Sequence, residues 1–156
     1  MVVALTLALG TRDYNGLSIP LVQASVGDHG VATWAFALKL LLTVITLGAG
    51  FQGGEVTPLF VIGATLGATL AGVLGLPVPL VAAIGFVAVF GAAANTPLAC
   101  TIMGVELFGP GPLVPLAVGC VVAYVCSSHR GIYTSQRLDT PKRGGPGIAP
   151  GANLAP

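Results

Sequence analysis

Read as a succession of apolar and polar positions, the chain alternates long apolar segments with short breaks rich in glycine and proline. Residues 2–9 form a first apolar piece. The polar turn Gly10-Thr-Arg-Asp-Tyr-Asn-Gly16 follows, with Asn15-Gly16 as a strong breaker pair. Leu17 to Val26 reads as a short half-helix carrying Pro20, closed by Gly27-Asp-His-Gly30. Residues 31–47 read as a strong apolar helix, close to the roughly 20 residues that a bilayer crossing needs. After a glycine-rich loop, a helix is expected from about Pro58 to Leu74. Its Gly63-Ala-Thr-Leu-Gly67 has the GxxxG spacing that lets helix backbones approach. Gly75-Leu-Pro-Val-Pro79 interrupts the pattern. Further helices are expected over 80–93, 97–108 and 113–126. Asn95-Thr-Pro97, read as a side-chain cap before a helix-starting proline, and Gly109-Pro-Gly-Pro112 divide them. Residues 127–138 are amphipathic and polar. Residues 139–156, rich in Gly and Pro, are expected to be disordered.

Composition turns this pattern into a membrane protein. Hydrophobic residues make up 54% of the chain and charged residues 7%, where a soluble domain carries about a quarter charged residues. The runs from Val56 to Val105 and from Leu107 to Ser128 hold no Asp, Glu, Lys or Arg, so they cannot build a water-facing surface. Most of the helices are too short to span, and Gly and Pro breaks rather than soluble loops separate them. Broken helices are tolerated at membrane depth only where they line a protein-enclosed cavity. In transporters such half-helices point their N-termini at anionic substrates. The fold class that follows is all-α and integral to the membrane, built of discontinuous and tilted helices that face an anion.

The charges that remain add orientation and exclude one class of partner. Arg130, Arg137, Lys142 and Arg143 follow the last helix and argue for a multi-pass protein with a cytoplasmic C-terminus. No basic patch exists outside that short tail, so nucleic acid is not a partner. Cys100, Cys120 and Cys126 lie in apolar segments without metal-type spacing and read as small buried hydrophobes in lipid-facing or packed helices, with no metal site and no disulfide framework. Residues 2–9 lack the positive flank of a signal peptide. They read as the tail of a helix cut by the start of the chain, which makes a fragment the expectation.

The candidate chemistry is concentrated in residues 48–60, where four glycines surround Glu55 and the stretch ends in Thr57-Pro58. Glycines allow a sharp turn and a close backbone approach. Proline suits the first turn of a helix, and the free N–H groups at such a start form an anion site. A lone carboxylate between long apolar helices is costly when charged and is a functional candidate, the other reading being a loop acid at the membrane surface. Burial favours its neutral form, helix-terminal N–H groups favour the carboxylate, and an arriving anion favours the neutral form again. Glu55 is thus expected to take a proton when an anion arrives. The Thr57 hydroxyl either donates to that anion or caps the helix, and the Tyr133 phenol either donates to it or packs at the lipid interface. Lys39 is expected to snorkel rather than to serve the ion path, and Glu106 to be a surface or interhelical partner rather than a site. Gly48-Ala-Gly50-Phe-Gln-Gly53 matches GxGxxG, but a helix rather than a strand precedes it and no acid occurs between Glu55 and Glu106, so no dinucleotide cofactor is expected.

These residues resemble the CLC chloride channel and transporter family. Gly-Gly-Glu55-Val-Thr-Pro58, followed by Leu-Phe-Val-Ile-Gly-Ala, is similar to the start of that family's helix N. The usual form there is Gly-x-Phe-x-Pro, and this chain departs from it at Glu55 and Val56. Its Glu-Val-Thr-Pro form resembles the bacterial branch that exchanges fluoride for protons. Asn95-Thr-Pro-Leu-Ala-Cys-Thr-Ile-Met-Gly-Val-Glu-Leu-Phe108 resembles helix P. Gly131-Ile-Tyr133 resembles the start of helix R, whose tyrosine coordinates the central anion. The resemblance implies that Glu55, Val56, Thr57 and Tyr133 line an anion path, with Glu55 coupling it to the proton. It covers residues 1–138, which would form one transmembrane half-domain, the second inverted half, with 139–156 as a cytoplasmic tail.

The first half of the family carries a Gly-Ser-Gly-x-Pro-like loop and a Gly-x-Glu-Gly-x loop with the gating glutamate, and neither occurs here. The implied partners are a halide and a proton, the bilayer, the N-terminal half of the transporter, and a second copy of the whole protein. That copy would dimerise through helices that include residues 97–126. Fluoride/proton antiport, without enzymatic activity, is the first reading. A chloride channel or chloride/proton exchanger is the alternative of the same class. A structural membrane subunit or the inert product of a truncated gene is the alternative of another.

Overall fold

A computed structural model of the chain describes residues 6, 10–27, 30–51, 53–127, 131–133, 135–138 and 152–153. Six helices account for nearly all of the ordered structure described: α1 (Ile19–Val26), α2 (Ala35–Gly48), α3 (Val56–Leu74), α4 (Val78–Ala93), α5 (Pro97–Phe108) and α6 (Leu113–Cys126). Two-residue strands β1 (Arg137–Leu138) and β2 (Ala152–Asn153) pair antiparallel. The expected all-α class is what the structure has. Of the first apolar piece, 2–9, only Thr6 is described, and it is helical. Of the tail from 139 onward, only 152 and 153 are described, so the expected disorder lies outside the described residues.

The chain packs as two compact units, Met1–Phe86 and Val87–Pro156. In the first, α3 packs against both α1 and α2. Small residues make this possible: Gly63, Ala64, Thr65, Gly67 and Ala71 are all buried on α3. The Thr65 hydroxyl donates back to the Val61 carbonyl at 2.7 Å, so its burial leaves no orphan donor. The GxxxG spacing sits where α3 meets the first half of α4. A methyl added at Gly67 would collide with the Val81 carbonyl oxygen, and one at Gly85 with that of Gly63. Phe60 and Phe86 stack across the same pair of helices, ring centroids 4.4 Å apart. Gly75 closes α3 in the left-handed region at φ 66°, its N–H donating to the Ala71 carbonyl.

In the second unit α5 and α6 pack against each other across the turn 109–112. Gly104 lets them close up, since a β-carbon there would lie 3.0 Å from a Val87 methyl and 3.1 Å from one of Leu116. Cys100, Leu116 and Cys120 fill this core. Cys126 is exposed at the end of α6, which leaves it the lipid-facing form of the sequence reading. Among the described helices, α3 alone is long and apolar enough to cross a membrane, at 19 residues.

Helix starts differ instructively from the sequence expectations. α3 begins at Val56, two residues before Pro58. Proline is tolerated at the third position because first-turn N–H groups have no intrahelical acceptor to lose. For the same reason α4 begins at Val78, ahead of Pro79, inside what reads in sequence as a break. Thr96, not Asn95, stands at the N-cap of α5, and it makes no side-chain cap bond. Asn95 instead adopts a left-handed conformation, φ 57°, which asparagine tolerates better than most residues.

Candidate functional site

The start of α3 is delivered by a glycine-rich approach in which Gly50 takes φ 81°. Glu55 occupies the N-cap position with helical φ and ψ and an exposed side chain, and it makes no cap bond. Because Leu59 N–H reaches back to the Glu55 carbonyl at 3.4 Å and Pro58 has no N–H, the amides of Val56 and Thr57 are left to point out of the helix. Neither amide donates to any described residue, and neither does the half-buried Thr57 hydroxyl. The Glu55 carboxylate likewise has no partner among the described residues. Thr57 at the second helical position is therefore not the cap, which decides against one of its two sequence readings. What remains is a helix N-terminus with partial positive charge, two free amides, one free hydroxyl and an adjacent carboxylate. That set can accept an anion and exchange a proton beside it.

The helix start forms one wall of a cleft of about 780 Å³ within the first unit, lined also by Tyr14, Lys39, Thr43 and Thr46. Lys39 does not snorkel. It is buried, and its ammonium donates to the Tyr14 carbonyl at 3.0 Å, the Gly16 carbonyl at 2.8 Å and the Ser18 hydroxyl at 2.8 Å. Three acceptors match its three donors. A buried, fully bonded ammonium has no reason to reach for water, which is why the expectation of an outward-reaching lysine fails. Thr43 and Thr46 turn their hydroxyls back onto the Lys39 and Leu42 carbonyls, at 2.8 and 2.7 Å. Tyr14 stacks on Trp34 at 6.3 Å. Burial, and then the neighbouring Asp13 carboxylate, push the Tyr14 phenol above its ordinary range.

Tyr133 belongs to the second unit and is exposed, its phenol without a partner among the described residues. It lies in a short segment tied to the end of α4. Ile132 N–H donates to the Ala93 carbonyl at 2.9 Å, and the Gln136 side chain donates to the Ala94 carbonyl at 3.3 Å while accepting from the Asn95 amide at 3.2 Å. The bonds of Gln136 give no signal in the sequence, and Asn95 reads there as a cap. Glu106 is exposed in the last turn of α5 and forms no ion pair among the described residues. No group of three or more metal-ligating side chains occurs among the described residues.

Against known proteins, residues 1–128 match the family model described as voltage gated chloride channel. The chain belongs to that family. Its place in the voltage-gated chloride channel family makes it a membrane protein, as the apolar helices require. The chloride/fluoride channel protein of Pseudomonas syringae pv. tomato is 53% identical over 126 residues, covering 80% of this chain and 27% of that relative. The voltage-gated ClC-type chloride channel ClcB of Salmonella dublin is 32% identical over 109 residues, covering 63% of this chain and 26% of the relative. The crystal structure of a CLC-type fluoride/proton antiporter is similar with a TM-score of 0.75 and 45% identity, over 80% of this chain and 32% of that one. The chain thus spans about a quarter to a third of the family members it matches.

Proposed function

We propose that this chain supplies the second, anion-facing half of a CLC-type transporter that exchanges fluoride for protons. The observation that carries the reading is the start of α3, where free amides at Val56 and Thr57 and a free Thr57 hydroxyl stand beside the Glu55 carboxylate. Fluoride holds its water tightly, so a carrier must replace the hydration shell with dense, strong donors. Amide and hydroxyl hydrogens are of that kind, and the Tyr133 phenol adds another. Glu55, Val56, Thr57 and Tyr133 line the anion path, and Glu55 takes up a proton as the anion arrives. The fluoride preference is supported by the 53% identity to a protein named for chloride and fluoride, against 32% to one named for chloride alone.

In this reading residues 1–138 act as one half-domain in the cell membrane and the C-terminus faces the cytoplasm. A first half bearing the gating glutamate completes the pathway. The apolar residues Leu98, Ile102, Val114 and Val118, exposed on α5 and α6, are available to a second copy of the protein. The test is a flux assay in liposomes, comparing fluoride with chloride, with this chain reconstituted alone and together with a glutamate-bearing first half. Fluoride efflux coupled to proton uptake, present only with both halves, is the expected result. Chloride flux in place of fluoride would move the chain to the chloride branch. No flux of either ion would leave it an inert membrane component.

A further inference from the structure

We infer that the side-chain amides of Asn95 and Gln136 form a clamp that positions the Tyr133 phenol, so that both are positioning residues for the anion path. The inference rests on the reading of Tyr133 as an anion donor, and it adds two residues that neither the sequence nor the comparisons place in the anion path.

The segment around Tyr133 belongs to no helix, so its place is set by the bonds it makes. Three of these converge on consecutive residues at the end of α4. Ile132 N–H takes the Ala93 carbonyl, Gln136 Nε2 takes the Ala94 carbonyl, and Gln136 Oε1 receives the Asn95 Nδ2 hydrogen. Carbonyls of a last helical turn have no intrahelical donor, so the segment satisfies groups that the helix leaves open. A fourth bond, Gln136 N–H to the Tyr133 carbonyl at 3.1 Å, ties these two residues directly. Tyr133 is therefore bracketed, by the bond of Ile132 on one side and by Gln136 on the other.

The amide pair suits this task for geometric reasons. A glutamine amide donates from one end and accepts at the other, and here it does both at once against adjacent residues. A hydrophobe of equal length could occupy the space but could do neither. Asn95 can present its amide there because its backbone is left-handed, which also ends α4 just before α5 begins at Pro97. A phenol that must meet a small dehydrated ion needs tight placement, since displacement by about 1 Å can cost up to about 100-fold in rate.

The test separates the clamp from simple folding. Gln136→Met removes both ends of the amide at nearly constant volume. Asn95→Gly removes the donor while keeping the left-handed backbone available, and it carries the test if Gln136→Met does not fold. Each is assayed with the first half present, for fluoride flux and for the fluoride-to-chloride flux ratio, alone and combined with Tyr133→Phe. The clamp predicts that each variant lowers fluoride flux about tenfold and lowers the ratio. It also predicts that, in flux and in the flux ratio, the double variants are no worse than Tyr133→Phe alone, because the clamp acts on the anion only through the phenol. A normal ratio in the clamp variants, or losses that multiply with that of Tyr133→Phe, overturns the clamp and leaves the role of Tyr133 standing. If Tyr133→Phe itself changes nothing, the anion reading of Tyr133 falls, and the clamp with it.

Discussion

The ammonium of Lys39 lies 2.8 Å from the hydroxyl of Ser18, a buried residue held in the left-handed region at φ 52°. One side chain from α2 thus fixes an unfavourable backbone conformation at the head of α1, together with the carbonyls of Tyr14 and Gly16. Lys39→Met should strand three acceptors and release the turn. We expect a loss of about 2–4 kcal/mol of stability, read as a lower melting temperature in detergent. Ser18→Gly, which loses one acceptor but suits the left-handed backbone, should cost less than Lys39→Met.

Two glycines of similar appearance in sequence should respond in opposite ways. Gly85→Ala drives a methyl into the Gly63 carbonyl, which only a backbone shift can relieve. A loss of about 1–3 kcal/mol or more is expected. Gly72→Ala on α3 meets nothing within 4 Å. It should be neutral or gain about 0.5–1 kcal/mol, since alanine favours a helix over glycine. Paired thermal melts of the two variants check both signs.

Thr57→Val removes a hydroxyl that caps nothing. Its melting temperature should therefore match that of the parent, a change within about 0.5 kcal/mol. Fluoride flux with the first half present should nonetheless fall. Equal flux would remove Thr57 from the anion path.

Glu55→Gln keeps the shape of the side chain and removes its proton chemistry. Fluoride should still move down its gradient, while the accompanying proton movement, followed with a pH electrode, is lost. Undiminished coupling would place the proton elsewhere.

Much of the helical order was legible because breaks and apolar runs alternate so sharply. α5 and α6 have the bounds that glycine and proline punctuation dictates. The helix starts at Val56 and Val78 were read two residues late, because a proline inside a first turn resembles a proline that ends a loop. The cluster at Glu55, Val56 and Thr57 could be read from residue types alone, since it is contiguous. Lys39 and Gln136 could not, because their partners lie 21 to 25 and 41 to 42 residues away. A lone lysine in an apolar run gives no hint of which carbonyls will receive it. Asn95 read as a cap, and its left-handed backbone and its bond to Gln136 appear only in the structure.

The short helices bear on how the protein meets an electric field. Those of 12 to 16 residues reach about 18–24 Å, short of the roughly 30 Å of hydrocarbon. A helix of that length that enters the hydrocarbon has at least one end inside it, where peptide groups are tolerated only against protein or enclosed water. Wherever water meets them, the voltage falls across the remaining dry layer instead of the whole bilayer. In the proposed transporter an ion would then cross most of the potential, worth about 2.3 kcal/mol per charge at 100 mV, in a short step.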